Sequence, residues 1–344
     1  MKTTGKKYGI FFITFAICLM LAACAPAATP DAPQAPTLPD PEPPVEPGTT
    51  QGTDVLSETA GENGITAQNY PRIDGSTSTF SLVWEIFDVM HTESENYPQQ
   101  AMKTVPSYEA LMNDELDMIF VPYASAEVLD IAKQKGIELE FHPVAAEALI
   151  FITSVENTAE NITMEQVRDI YINYGITNWK SLGGPDRELV PISRNADSGS
   201  QSQMDNLILR GEPTHPDINE NYVELTMEDM LTMVAFYHNG GMDGAGPTNT
   251  FALGYTLYSY LESMTQFTGV GESLKILAFD GAQPDRANIA SGAYPLADAY
   301  YAVVRSDLPE NHSARSIIAW LHSEEGTEAI ARSGLISTSE AGQE

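Results

Sequence analysis

The chain has 344 residues, 42% of them hydrophobic, with 17 Lys and Arg against 48 Asp and Glu, a formal net charge of −31. That length exceeds one ordinary core and implies about two domains, while the acidity excludes a nucleic-acid binder, which needs a basic surface. A small anion would approach against this field, so a site for one has to be built from local donors in a sheltered cleft, where screening over ~8 Å hides the distant carboxylates.

At the N-terminus, Lys2, Lys6 and Lys7 precede an apolar run from Tyr8 to Leu21, which ends at Leu21-Ala22-Ala23-Cys24. A basic segment, a short apolar segment and small residues before a cleavage point form a secretory signal, so residues 1–23 are set apart from the fold. The run is short of the ~20 residues a membrane span needs. Its Leu-Ala-Ala-Cys ending resembles the bacterial lipobox, which implies cleavage before Cys24 and lipidation of its thiol. The mature chain then keeps 14 basic residues against 48 acidic ones, a net charge of −34. Cys18 and Cys24 are the two cysteines, so the mature fold has no pair to bridge and must rest on burial.

Residues 24–64 read as a disordered tether. Nine of the chain's 22 prolines fall between residues 25 and 52, with almost nothing apolar among them. Such a segment cannot bury a core; it extends by up to ~3.1 Å per residue and holds the folded part clear of a membrane.

The fold is expected to begin near Ile65. Tyr70–Asp74 reads as a strand, Gly75–Thr79 as a hydroxyl-rich turn and Phe80–Phe87 as a helix. Ser107 reads as the N-cap of a further helix, and the apolar run Asp117–Tyr123 as a buried parallel strand. Then come a strand at Ala148–Ile152, a helix over Met164–Tyr171 and a strand at Leu189–Ile192. A helix near Met227–Tyr237, a Gly-rich loop from Gly240 to Gly246, and strands over Lys275–Phe279 and Ala299–Val304 follow. One amphipathic helix from Ala314 to Ala331 closes the chain. This alternation implies α/β layers, whose ligands sit beyond the carboxyl ends of strands.

One stretch organises the functional reading. Ser193-Arg194-Asn195-Ala196-Asp197-Ser198-Gly199-Ser200 sets a guanidinium ahead of a Ser-Gly-Ser turn that runs into a helix. A helix's first turn offers unpaired N–H groups and the positive end of its dipole, so hydroxyls there with an Arg nearby suit an oxyanion. Gly75–Thr79 repeats the chemistry at the first strand-to-helix turn.

Asn161–Tyr171, then Thr177-Asn178-Trp179-Lys180 with Gly183-Gly184, then Arg194 and Ser198-Gly199-Ser200, with Asp74–Thr79 and Tyr294-Pro295-Leu296, resemble the PstS-like family, the phosphate-binding lipoproteins of bacterial ABC importers. The resemblance covers roughly residues 66–338. It implies an α/β, two-lobed type II periplasmic-binding-protein fold with two hinge-crossing strands, near Phe141–Ala146 and Ala293–Leu296. Lobe 1 would comprise residues 65–143 and 296–338, lobe 2 residues 144–295, and 339–344 a tail. By position, the ligand residues it implies are Ser78, Thr79 and Phe80, then Ser107, then Arg194, Ser198, Gly199 and Ser200. It further implies an extracytoplasmic, lipid-anchored monomer without cofactor or catalytic activity, which hands inorganic phosphate to a membrane ABC permease. Two positions depart from the family. Its proton-accepting aspartate falls near Tyr123, where no carboxylate stands between Val121 and Ala126, and its acidic residue two after the Arg is Ala196, with Asp197 one place later.

Other features read as structure. Trp179, Trp320 and the tyrosines of Tyr255–Tyr260 suit core and interface packing, and the six histidines show no metal-ligand spacing. Met242-Asp243 reads as a surface loop. A hydrolase is the competing class, with Ser198 or Ser200 as nucleophile, but no Gly-x-Ser-x-Gly or Ser-x-x-Lys motif appears. A binder or sensor of another small anion would look identical at this level.

Overall fold

A computed structural model describes residues 54–240 and 248–337. The signal segment, Cys24, most of the tether, Gly241–Gly246 with Met242-Asp243, and the tail at 339–344 lie outside the described residues.

The fold starts earlier than expected. Val55–Leu56 pairs with His91–Glu93, and Glu58–Glu62 is helical, with Ser57 Oγ accepting from the Ala60 amide at 3.2 Å. Ala60 and Ile65 are buried. Residues 55–64 therefore belong to the fold rather than the tether, because this proline-free piece has apolar anchors.

The main sheet has eight strands: β1 (Ile73–Gly75), β2 (Met118–Pro122), β3 (Leu139–Ser154), β4 (Glu188–Pro191), β5 (Thr250–Leu257), β6 (Leu274–Ile276), β7 (Ala297–Arg305) and β8 (Ile336–Ser337). Their order is β1-β2-β7-β3-β5-β4, with β6 and β8 also on β3. The β1–β2 and β5–β4 pairs are parallel; β7 runs antiparallel to β2 and to β3, and β5 antiparallel to β3. The longer helices are α1 (Phe80–Met90), α2 (Thr104–Met112), α3 (Ala126–Lys135), α4 (Met227–Phe236), α5 (Tyr258–Thr268), α6 (Ser313–Leu321) and α7 (Glu324–Arg332).

The sixteen-residue β3 organises the molecule. Between Leu139 and Ala148 it pairs with β7, with a register shift that skips Val144, and from Leu149 to Ile152 it pairs with β5. One strand thus belongs to two half-sheets. Apolar packing follows the same division. One cluster gathers Leu149, Phe151, Trp179, Leu253 and Phe279; two others gather Leu82, Phe120, Tyr300 and Ile317, and Tyr108, Ile119, Val121 and Val303. Burying each such side chain contributes about 1.5–3 kcal/mol, so each half has its own hydrophobic support.

Three sequence expectations need correction. Ala293–Leu296 is a turn that leads into β7 rather than a second crossing strand. The terminal helix is two helices, because Ser323 Oγ caps α7 through the Gly326 amide at 3.2 Å. Gly326 comes so close to the preceding helix end that a Cβ there would sit 2.1 Å from the Trp320 carbonyl oxygen. Lys275–Phe279 is split at Leu277 into β6 and Ala278–Phe279, the latter pairing with Asn161–Ile162. Trp179 and Trp320 are buried, as packing residues should be.

Candidate functional site

The first hydroxyl turn is clamped onto β2. The Phe120 carbonyl accepts from the Ser76 amide at 3.0 Å and from Thr79 Oγ1 at 2.6 Å. Gly75 is required by this approach, since a Cβ would lie 2.5 Å from the Phe120 oxygen. The Thr79 amide bonds the Ser76 carbonyl at 3.0 Å. In this structure Thr79 therefore holds the turn together. Ser78, at the mouth of α1, keeps its hydroxyl 3.0 Å from Ser76 Oγ, and Phe80 opens the helix.

Ser107 is not an N-cap. α2 begins at Thr104, three residues earlier, with Lys103 at the cap. Pro106 sits in the first turn, where a missing N–H costs nothing. The Ser107 hydroxyl is fully buried and donates to the carbonyls of Gly75 and Lys103, both at 3.0 Å, tying α2 to the β1 turn.

In the other half, Ser193–Arg194 forms a short parallel pair with Val223–Glu224. The Arg194 amide donates to Tyr255 Oη at 2.9 Å, and the residue is 7% exposed. Nε donates to the Glu224 carbonyl at 3.0 Å and Nη2 reaches the Leu225 carbonyl at 3.5 Å. Nη1 has no hydrogen-bond partner, and no carboxylate pairs with this guanidinium among the described residues. Burial lowers its pKa, opposed by the surrounding Tyr255, Tyr260, Asp229 and Glu224. Asp197 does not orient Arg194; its carboxylate lies 3.5 Å from Asn195 Nδ2. A buried cation with a free donor and no counter-ion is the electrostatic signature of a site that takes an anion.

Ser198 stands at the N-cap of the turn Gly199–Gln203, with its Oγ 2.9 Å from that of the fully buried Ser200. Gly199 meets the opposite half directly, since a Cβ there would lie 2.7 Å from Thr104 Oγ1 and 2.8 Å from Pro122 Cγ. Asn206 Nδ2 adds a bond to the Ala124 carbonyl at 3.1 Å. The Ser-Gly-Ser turn is thus pressed against the start of α2, and the cleft is closed here. A 760 Å³ groove at the mouth of α1 is lined by Ser78, Phe80, Trp84, Ser259, Tyr260 and Arg332 among others.

The position near Tyr123 is aromatic: its ring lies 4.5 Å from that of Phe141 and 5.5 Å from that of Tyr301. Asp74 Oδ1 takes the amides of Gly75 at 2.6 Å and Met102 at 3.1 Å. Sequence reasoning passed over Glu147 and Tyr300, both buried. The signal for Glu147 was a lone carboxylate in the otherwise apolar run Val144–Ile152.

Residues 49–325 match the family model described as a PBP superfamily domain. The phosphate-binding protein PstS of Borreliella burgdorferi is 27% identical over 193 residues, which cover 56% of this chain and 63% of that protein. The chain therefore matches less than two thirds of that relative's length. Among solved structures, an ABC-type phosphate transport receptor from Vibrio cholerae is similar with a TM-score of 0.56 and 24% identity, covering 77% of this chain and 98% of that one. A candidate phosphate ABC transporter substrate-binding protein from Clostridium perfringens, solved with bound phosphate, has a TM-score of 0.55 and 23% identity over 77% and 98% of the two chains.

Proposed function

The chain belongs to the PBP superfamily, and from that premise we propose that it captures inorganic phosphate between the two halves of its fold and delivers it to a membrane ABC permease. The observation that carries this reading is Arg194, a buried guanidinium with a free Nη1, in the same turn of chain that leads into the paired hydroxyls of Ser198 and Ser200. The similar proteins named for phosphate binding supply the ligand class. Arg194, Ser198, Gly199 and Ser200 hold the anion from one side; Ser78 and the opening of α1 at Phe80 hold it from the other, with Thr79 and Ser107 fixing that turn. Lobe 1 comprises residues 65–143 and 296–338, lobe 2 residues 144–295, and β3 acts as the hinge. Binding is by hydrogen bonds and charge, without catalysis. Cys24, lipidated, anchors the protein as a monomer on the extracytoplasmic face of the cell membrane.

Calorimetric titration with phosphate, sulfate and tungstate tests this reading. Heat from phosphate is the expected result; silence with all three would refute an oxyanion site.

A further inference from the structure

The helical turn Gly199–Gln203 runs directly into a second one, Met204–Leu209. Most polar side chains along it are partnered. Ser198 and Ser200 share a hydrogen bond, and Ser202 Oγ donates to the Ser198 carbonyl at 3.3 Å. Gln201 accepts from Tyr255 Oη and donates to Asp205 Oδ1 at 2.8 Å. Gln203 is the exception: it is 2% exposed, and neither its Oε1 nor its Nε2 has a hydrogen-bond partner. An amide hidden from water with both ends unpaired is costly. Arg194 Nη1, at the head of the same stretch, is likewise unpartnered.

The helix face fixes where this amide lies. Gly199 is four residues before Gln203 and Asn206 three after it, so the three share one face. Both neighbours meet the opposite half: Gly199 abuts Thr104 and Pro122, and Asn206 Nδ2 donates to the Ala124 carbonyl at 3.1 Å. Gln203 therefore sits on the seam between the halves. Side chains on a helix lean toward its N-terminus, which directs the amide back along that seam to the Ser-Gly-Ser turn.

We propose that Gln203 is a further ligand-contacting residue, whose amide lets the cleft take tetrahedral oxyanions whether or not they carry a proton. The inference rests on reading this cleft as the phosphate site. A carboxylate at this place would only accept, and would admit an anion solely through a protonated oxygen. An amide has an acceptor at one end and donors at the other, exchanged by a half-turn about its last bond. Phosphate is protonated at neutral pH, so Oε1 accepts from P–O–H while Nε2 donates to a bare oxygen. Sulfate carries no proton; Nε2 donates to it and Oε1 turns away. Being neutral, the amide repels neither anion. The facing stretch from Val121 to Ala126 holds no carboxylate that would restore the distinction.

The test is calorimetric titration of the intact chain with sodium phosphate and sodium sulfate at neutral pH, alongside thermal unfolding without ligand. Wild type should bind both, with affinities within about a hundredfold of each other, the worth of one charge-assisted hydrogen bond. Gln203→Met keeps the length and removes both polar ends. It should weaken both anions by about tenfold or more, yet unfold no lower than wild type, because an unpaired buried amide is gone. Gln203→Glu installs an acceptor-only group and should widen the preference for phosphate by about tenfold or more. A Gln203→Met protein that binds as wild type does, or that unfolds earlier or fails to fold, marks a packing amide and overturns the proposal. So does a folded Gln203→Glu protein with the wild-type preference, or a wild type that binds phosphate and ignores sulfate. A wild type that binds neither anion refutes the phosphate reading itself, before either variant is made.

Discussion

Replacing Arg194 with Met should abolish anion binding and leave the ligand-free protein at least as stable as wild type. Arg194 as a residue is 7% exposed, and its guanidinium has one strong bond, Nε to the Glu224 carbonyl at 3.0 Å, and one at the outer limit, Nη2 to Leu225 at 3.5 Å. A bond to a charged group contributes about 1.5–3 kcal/mol, while removing an ion from water costs several kcal/mol when no partner neutralises it. The two nearly cancel or leave a net cost. Methionine fills similar length without charge, and the Glu224 carbonyl keeps the Asn195 amide at 3.4 Å. Ligand-free stability should therefore stay within about 2 kcal/mol of wild type, on the stable side. With phosphate at a hundred times its dissociation constant, wild type should gain about 2.7 kcal/mol, or roughly 5–10 °C in midpoint, and the variant none. Thermal unfolding with and without phosphate reads both quantities. A ligand-free loss of about 3–5 kcal/mol, the cost of breaking a buried ion pair, would show that Arg194 is a structural group and refute the argument.

Two further results follow from particular contacts. Gly199→Ala puts a Cβ 2.7 Å from Thr104 Oγ1 and 2.8 Å from Pro122 Cγ across the closed cleft. It should hold the halves apart and weaken phosphate binding by about tenfold or more, given the 1–3 kcal/mol typical of overpacking; an unchanged titration curve would show that closure here is dispensable. Glu140 is held below its ordinary pKa of 4.5 by the Arg315 fork, at 2.7 and 3.2 Å. Because the folded value is depressed, the stabilisation is present above pH 4.5 and fades as pH falls through the folded value. Arg315→Gln should cost up to about 1 kcal/mol at neutral pH, a gap that closes below that point. Urea unfolding across pH checks it, and a pH-independent gap would contradict the assignment.

The strand, hydroxyl turn and helix at Ile73–Met90 and the Arg194 turn were legible because local chemistry dictates them: apolar residues to bury, small hydroxyls at helix mouths, glycine where backbones meet. Ser107 was misplaced because Pro106 is accommodated in the first turn, so the helix already starts at Thr104. The break at Ser323 was hidden because apolar periodicity runs through it, and the stop depends on Gly326 packing against Trp320. The two-sided role of β3 is a pairing property, invisible until β7 and β5 are in place. The site divides in the same way. Each turn could be read alone, but the closeness of Gly199 to Thr104 and the missing counter-ion of Arg194 arise from residues far apart in the chain.

The central claim, an oxyanion clamped between the Arg194 turn and the mouth of α1, is most directly tested by a crystal structure of the protein grown with phosphate. The account predicts the anion within hydrogen-bond distance of Arg194 Nη1 and of Ser78 and Ser198 Oγ, with Gly199 still against Thr104. Phosphate bound only in the outer groove near Arg332, with Arg194 Nη1 turned to a protein partner, would contradict it.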